Sequence, residues 1–579
     1  MPMHARRVTA APSQIMVEQL AASGVRFVFN NPGSLEALFF DALHADPRVH
    51  GIVALHETSV IAMAGGYTQA NLEPAVAIVH LGAGLAQGLG QMINLWYGGL
   101  PVVVITFAND TGSYGDRVGL NLSHNSGPTT ISTPFTKASW TVVEPEGLPH
   151  AIARALRVAM TDPVGPVHVA VYERVLWAPQ VTADIIEGPI PRITAGRPLS
   201  SDVDELVRAL DEAERPLINV GDGAWKSGAR EELIWLAEHF GASIAGDTRS
   251  VPVGYRLHCG RAEEAVDVLA PDLVVNLGVR NFNRGAPDDL GTFSPVGQVF
   301  AVGPDVENVS KTPVDLAILA DVRGTIRSVQ EAVQGEERPE RFARRLDWAR
   351  EQADSLRAKR SAKVRSIASQ ASRVRPWMLV QALDDAIERA GGGLVLTEQH
   401  VLPLDSVADK PMPIGTEYVG AAGGSEGYGV GGAIGLKLAA LDRHVIGLVG
   451  DGSLMFADNG LRTAAHHQVP VLYVIPNNGS YGVVADYMEL VGGVMKETGE
   501  YSGVALDDID VVKVAEGMGV EGVDVWEEEG LVEAIVNGLE LVDREQRPFL
   551  MNVHLPHGLP AGGRAAPPFR PVDLAGGSI

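Results

Sequence analysis

The chain has 579 residues, 46% of them hydrophobic and 20% charged, and at roughly 100–200 residues per domain this length predicts about three domains. A formal net charge of −25 argues against nucleic acid and anionic membrane as partners, so any oligomer must rest on apolar surface. The single cysteine, Cys259, excludes an intramolecular disulfide and a cysteine-based metal cluster and fits a reducing cytoplasm. The basic residues 1–11 lack the apolar stretch of a secretory signal, and no uncharged apolar run of about 20 residues follows, so no membrane span is expected.

In chain order, residues 12–23 read as an amphipathic helix and 25–29 as a short strand, closed by the turn Asn30-Asn31-Pro32-Gly33. Residues 75–79 and 102–107 are continuous apolar runs of the buried parallel-strand type, with small-residue helices at 59–70 and 85–95. Residues 166–172 add another strand. A second α/β unit starts near residue 200, with strands expected at 216–220, 273–277, 299–302 and 316–320. Residues 336–371, rich in Arg, Glu and Ala, read as a connecting helix on the surface. A third unit follows, with strands expected at 394–396, 445–449, 471–475 and 549–553, before a Gly- and Pro-rich tail that reads as extended or mobile. The expected division is 1–190, 191–345, a linker helix at 346–372, 373–560 and a tail at 561–579. Three successive α/β units predict an α/β fold of three doubly wound parallel sheets.

The third unit carries Gly450-Asp451-Gly452-Ser453 directly after one expected strand and Asn477-Asn478-Gly479 after the next, with residues 453–476 making a gap of 24. Adjacent parallel strands bring both turns to one carboxyl edge, where open α/β sheets bind ligands. Asp451 offers a carboxylate oxygen, Asn478 an amide oxygen and Ser480 a backbone carbonyl. Such hard oxygens suit Mg²⁺ on a diphosphate, and glycines let the backbone approach phosphate. An earlier Gly221-Asp222-Gly223 has no Asn-Asn pair at a suitable distance and reads as a structural turn. In the first unit, Glu57 stands between an expected strand at 52–55 and a helix containing Ala64-Gly65-Gly66-Tyr67.

The Asp451–Asn478 arrangement resembles the thiamine diphosphate-binding motif: GDG, a spacer, then NN. The resemblance implies thiamine diphosphate and Mg²⁺ as cofactors and pyrimidine-binding, central and diphosphate-binding domains. It implies that Asp451, Asn478 and Ser480 hold the metal and that Gly450, Gly452, Ser453, Ser425, Tyr428 and His400 lie along the cofactor. Glu57 is then the glutamate that hydrogen-bonds N1′ of the aminopyrimidine, favouring the imino tautomer that deprotonates thiazolium C2. The resulting ylide attacks a carbonyl, and the cofactor serves as electron sink.

Within that family the chain is most similar to the benzoylformate decarboxylase and acetohydroxyacid synthase branch. Asn31-Pro32-Gly33-Ser34 matches the decarboxylase loop whose serine contacts the substrate carboxylate, and His80 falls where that enzyme keeps a proton-transfer histidine. Asn477-Asn478-Gly479-Ser480-Tyr481-Gly482 matches the run after the metal site. The resemblance therefore implies a decarboxylase of 2-oxo acids, in which carbonyl attack precedes CO₂ loss and protonation of an enamine. The alternative is an acetolactate synthase-like carboligase or a lyase or hydrolase cleaving a diketone or acyloin. A small-molecule substrate and a homodimer or homotetramer with the active site at the subunit interface are further implications. No G-x-G-x-x-G directly after an expected strand and opening a helix, with an acidic residue about 20 positions on, marks a nicotinamide site.

Three features depart from the pattern or tempt a different reading. The decarboxylase's second histidine has no counterpart in residues 278–285, where Asn281, Asn283 or Arg284 are the candidates to face the pocket instead. The position beneath the bent cofactor, apolar in the family, is Glu426 on ungapped counting; it is a second catalytic acid/base unless Tyr428 or Val430 supplies the wedge. The pair His466-His467 reads as helix C-terminal cations. Residues 481–495 are expected to cover the active site, with Val483, Val484 and Tyr487 as apolar pocket residues.

Overall fold

The computed structural model describes residues 4–108, 127–188, 190, 193, 195–280, 296–310, 313–366, 372–404, 415–506, 508–557 and the backbone of 570–572. Two compact units are present: residues 1–193, 369–402 and 419–579 form the first, and residues 194–368 and 403–418 the second. As expected, the architecture is α/β with three mainly parallel sheets, two in the first unit and one in the second.

The first sheet has the order β3-β2-β4-β5-β7-β6, formed by β2 (Phe27–Asn30), β3 (His50–Val53), β4 (Ala75–Ile78), β5 (Val102–Ala108), β6 (Ala138–Val142) and β7 (Val167–Tyr172). All its ladders are parallel. β4 and β5 are buried along their whole length, which is why they read as unbroken apolar runs rather than alternations. The chain enters this sheet at β2 and leaves it on both sides, so its topological switch point lies between β2 and β4. A ribbon missed by the sequence reading also belongs here: β1 (His4–Ala10) pairs antiparallel with β8 (Val181–Glu187).

The sheet of the second unit has the order β10-β9-β11-β12-β13, with β9 (Pro216–Val220), β10 (Ser243–Gly246), β11 (Leu273–Leu277), β12 (Gln298–Gly303) and β13 (Leu316–Leu319). The helix Glu340–Arg365 corrects the expectation of a surface connector. Phe342, Leu346, Ala349, Ala353, Leu356 and Arg360 recur at three- and four-residue spacing and are all buried, giving the helix one core-facing stripe. Phe342, Leu346 and Ala349 join the core of this sheet. Buried Arg345 and Arg360 meet backbone carbonyls of Leu210, Asp211 and Cys259. Asn281, Asn283 and Arg284 lie outside the described residues.

The third sheet has the order β15-β14-β16-β17-β20-β19, with β14 (Leu394–Glu398), β15 (Glu417–Gly420), β16 (Val445–Val449), β17 (Leu472–Asn477), β19 (Glu521–Val525) and β20 (Phe549–His554). Its switch point lies between β14 and β16. A short strand, β18 (Glu500–Ser502), pairs parallel with β21 (Arg570–Val572), so part of the tail is extended backbone. The first and third sheets are joined in one unit by a close crossing of helix α3 (Glu57–Asn71) with the helix Gly429–Ala439. A Cβ on Gly435 would stand 1.9 Å from the Met63 carbonyl, and one on Gly66 2.0 Å from that of Gly432. Only glycine permits that approach.

Candidate active site

The switch point of the first sheet gathers three acidic or basic side chains. The turn after β2 carries Gly33, Ser34 and Glu36, the turn after β4 carries His80, and Glu57 opens α3 after β3. Glu36 is fully buried, and its Oε1 lies 3.0 Å from His80 Nδ1. Gly33 makes room for this pair, since a Cβ there would fall 2.3 Å from Nδ1. Glu57 is buried, and a Cβ on Gly84, in helix α4 (Ala83–Gly98), would meet its Oε1 at 2.7 Å and His80 Cβ at 3.1 Å. His80 and Glu57 therefore flank one glycine. The hydrogen bond to Glu36 raises the pKa of His80 against desolvation, helped by the charges of Glu36 and Glu57. Ser34 is exposed. The N-cap position of the following helix, Ala37–Ala45, is Glu36 rather than Ser34.

Glu36 escaped the sequence reading. Its signal is positional, two residues after the Asn-Pro-Gly-Ser turn, and becomes meaningful only once β2 and β4 are neighbours. Replacing it with glutamine removes the charge that holds His80 protonated. Glu36→Gln is therefore expected to move the alkaline limb of the pH–rate profile downward; an unmoved limb rules out His80 as the titrating group.

The third sheet presents the second cluster at its own carboxyl edge. Asp451 follows β16 and begins the short helix Asp451–Met455. Its Oδ2 accepts from the Gly479 N–H at 2.9 Å, which ties it to the turn after β17. Asp451, Asn478 and Ser480 are all buried. Burial pushes the Asp451 carboxyl up to about 6 against the N–H groups of Gly452 and Gly479. Ser480 Oγ is buried and has no hydrogen-bond partner among the described residues, while its carbonyl accepts from Gly482 at 2.8 Å. A buried carboxylate that accepts only from N–H groups, a buried amide, an orphaned hydroxyl and a carbonyl fit a divalent cation with hard oxygen ligands. Asp222 makes the contrast. It follows β9 in the same way, yet Lys226 and Arg280 lie 2.7 and 2.8 Å from its oxygens and outweigh burial, so its pKa is lowered.

Next to Asp451, at the switch point between β14 and β16, the structure places Glu398, His400, Glu426 and Ser453. Glu426 bridges His400 Nε2 at 3.1 Å and Ser453 Oγ at 2.5 Å. The hydrogen bond from His400 lowers the pKa of Glu426, and the same bond raises that of His400, so each favours the charged form of the other. Of the residues considered for the position beneath the cofactor, Tyr428 and Val430 are fully buried. The Tyr428 hydroxyl donates to Gln69 Oε1 at 2.7 Å, inside the α3 crossing. The ring and hydroxyl of Tyr428 are thus committed to the core. Glu426 alone remains accessible. Its backbone and that of Ser425 are held by Gln91 and Asn94 of α4.

Glu398, a second residue the sequence reading missed, ends β14 and is buried. Its two oxygens accept from the N–H groups of Tyr428 and Gly429 at 2.9 and 2.7 Å. It thereby pins the loop that carries Ser425 and Glu426. Desolvation pushes its carboxyl up to about 7 against those donors.

Family models match three segments: the N-terminal thiamine pyrophosphate-binding domain at residues 12–128, the central domain at 203–329 and the C-terminal thiamine pyrophosphate-binding domain at 412–553. The chain belongs to the thiamine pyrophosphate enzyme family. Benzoylformate decarboxylase from Pseudomonas aeruginosa is 26% identical over 550 residues, covering 93% of this chain and 97% of that protein. The acetolactate synthase large subunit of Corynebacterium glutamicum is 26% identical over 564 residues, covering 93% and 86%. Benzoylformate decarboxylase from Polynucleobacter necessarius shares the fold with a TM-score of 0.76 at 21% identity, over 95% of this chain and 99% of that one.

For a thiamine pyrophosphate enzyme, the remaining sequence expectations fall in two places. Val483, Val484 and Tyr487 lie on the helix Gly482–Val491 and are exposed. His467 is not a helix-end cation. Its Nε2 lies 2.9 Å from the Val53 N–H and 3.1 Å from the Val53 carbonyl oxygen, and desolvation lowers its pKa, which disfavours the cationic form. No helix among the described residues is long and apolar enough to cross a membrane.

Proposed function

We propose that this chain is a thiamine diphosphate- and Mg²⁺-dependent decarboxylase of 2-oxo acids. The observation that carries the reading is the Glu36–His80 pair standing beside Glu57 across Gly84. Glu57 supplies a buried carboxyl for the aminopyrimidine. His80, whose protonated form Glu36 favours, supplies a proton donor next to it, and Ser34 is an exposed hydroxyl on the turn that carries Glu36, for a substrate carboxylate. Asp451, Asn478 and the Ser480 carbonyl would hold Mg²⁺, with Gly450, Gly452 and Ser453 along the diphosphate. The bound cofactor supplies a thiazolium carbon that adds to a carbonyl and accepts the electron pair released with CO₂.

The family resemblance extends this reading to a homodimer or larger homo-oligomer in which one subunit's Glu57 faces the partner's Asp451. The exposed apolar residues Val483, Val484 and Tyr487 then fit the wall of a pocket for a hydrophobic substrate group.

A second reading, a carboligase or a lyase or hydrolase cleaving a diketone or acyloin, is favoured by the charged His400–Glu426 pair, a second acid/base set where the family carries an apolar residue. A panel of aromatic and branched 2-oxo acids, assayed with thiamine diphosphate and Mg²⁺, separates the readings. CO₂ with an equivalent of free aldehyde is the expected product pattern. Hydroxyketone without free aldehyde decides for carboligation, and no CO₂ across the panel overturns decarboxylation.

A further inference from the structure

A row of polar side chains runs across the carboxyl edge of the third sheet, away from the metal-binding turn and through three neighbouring strands. Asn477 ends β17. Its Oδ1 accepts from the Gly479 N–H at 2.9 Å, and the same N–H donates to Asp451 Oδ2 at 2.9 Å. Asn477 and Asp451 thus share one donor, and Asn478 stands between Asn477 and Gly479 in the turn so closed. Gly479 has a positive φ of 65°, which glycine adopts without steric cost, and its N–H is what Asn477 Oδ1 engages.

On the next strand, Asn552 holds the Asn477 side chain. Its Oδ1 accepts from Asn477 Nδ2 at 3.1 Å, and its own Nδ2 lies 2.8 Å from Asp524 Oδ1 on β19. His554 completes the row, with Nε2 2.7 Å from Asp524 and 3.1 Å from Asn552. His554 is stacked on Trp526 with ring centroids 3.4 Å apart. Asn552 is 2% exposed, so it has no water to replace a lost partner. Parallel register accounts for the order: Asn552 pairs with Ile475 on β17 and with Asp524 on β19.

We infer that Asn552, braced by Asp524 and His554, is a positioning residue for the metal-binding turn, acting through Asn477 on Asn478 and Asp451. The inference rests on the reading of Asp451 and Asn478 as Mg²⁺ ligands. Groups that orient ligands from behind are worth roughly 10- to 100-fold in metal affinity. Leucine at 552 keeps the size but gives Asn477 no acceptor.

The test is a Mg²⁺ titration of the full-length protein at saturating thiamine diphosphate, followed by near-UV circular dichroism. Asn552→Leu is expected to raise the Mg²⁺ dissociation constant about 10-fold or more. The control is Leu539→Ala, a buried position on the helix Leu531–Glu545 behind the same sheet. It is expected to lower the melting temperature and leave the Mg²⁺ constant in place. Unchanged Mg²⁺ affinity in Asn552→Leu overturns the inference, as does an equal loss in Leu539→Ala. Asp451→Ala in the same titration keeps the two readings apart. If it too leaves Mg²⁺ binding intact, the ligand assignment itself has failed and the positioning role falls with it.

Discussion

Glu57→Gln is expected to lower turnover by about 10²–10⁴-fold, the range a positioned proton-transfer group contributes, while leaving cofactor binding within a few-fold. Glu57 is the first residue of α3 and is buried against Gly84 and Gly88 of α4. Its carboxyl has no hydrogen-bond partner among the described residues, so it is free to engage a ring nitrogen. Glutamine preserves shape and volume, but its amide N–H is not acidic and cannot transfer a proton to that nitrogen. It also removes a negative charge that raises the pKa of His80, so the variant's alkaline limb should move downward as well. The decisive measurement is exchange of the thiazolium C2 proton for deuterium on the enzyme, followed by NMR after acid quench. Exchange should slow in parallel with turnover, with the melting temperature of the cofactor-free protein unchanged or slightly raised, because a buried charge has been replaced by a neutral isostere. Parent-like exchange in Glu57→Gln would remove Glu57 from cofactor activation.

The parts of this molecule that the sequence made legible are those set by short-range chemistry. β5 is seven residues buried on both faces, all but Thr106 apolar, and that near-continuous run marks a central parallel strand. The Asp451–Asn478 motif is legible because a metal diphosphate restricts residue type, and a parallel sheet fixes the spacing between neighbouring strand ends. What escaped depends on pairings made at long range. Glu36 and His80 are 44 positions apart and meet only because β2 and β4 adjoin. The ring of Tyr428 sits in the core at the glycine-lined crossing of α3, a place set by two helices far apart in sequence. β1 reads as a basic terminus because most of its residues are exposed and its partner lies some 170 residues on. The stripe of the helix Glu340–Arg365 is built partly from alanines and buried arginines, which carry little apolar signal. In each case the deciding contact is tertiary, and local pattern is silent about it.

Asp451→Asn is expected to abolish stabilisation by Mg²⁺ and thiamine diphosphate, and the parent's response should depend on pH in a defined sense. In the metal-free protein Asp451 titrates near 6 rather than its ordinary 3.8, and Glu398 near 7 rather than 4.5. For a carboxyl raised by folding, the stability contribution is complete below the unfolded pKa and is lost as pH rises through the folded one. The metal-free protein should therefore lose stability between about pH 4 and pH 8, Asp451 through 6 and Glu398 through 7. Each contributes on the order of 3 kcal/mol at full ionisation. Mg²⁺ binds only the ionised Asp451, so below pH 6 it must displace a proton and above pH 6 it need not. Its affinity should climb with pH up to about 6 and then level off, and the gain in melting temperature on adding Mg²⁺ and thiamine diphosphate should be larger at pH 8 than at pH 5. In Asp451→Asn the metal-free protein should be more stable than the parent at pH 8, since the buried charge is gone, and Mg²⁺ should add nothing. Scanning fluorimetry of both proteins between pH 5 and 8, with and without Mg²⁺ and thiamine diphosphate, reads all of these terms at once. A parent-like gain in Asp451→Asn, or a gain in the parent that does not change with pH, contradicts the assignment of Asp451 as the metal's carboxylate.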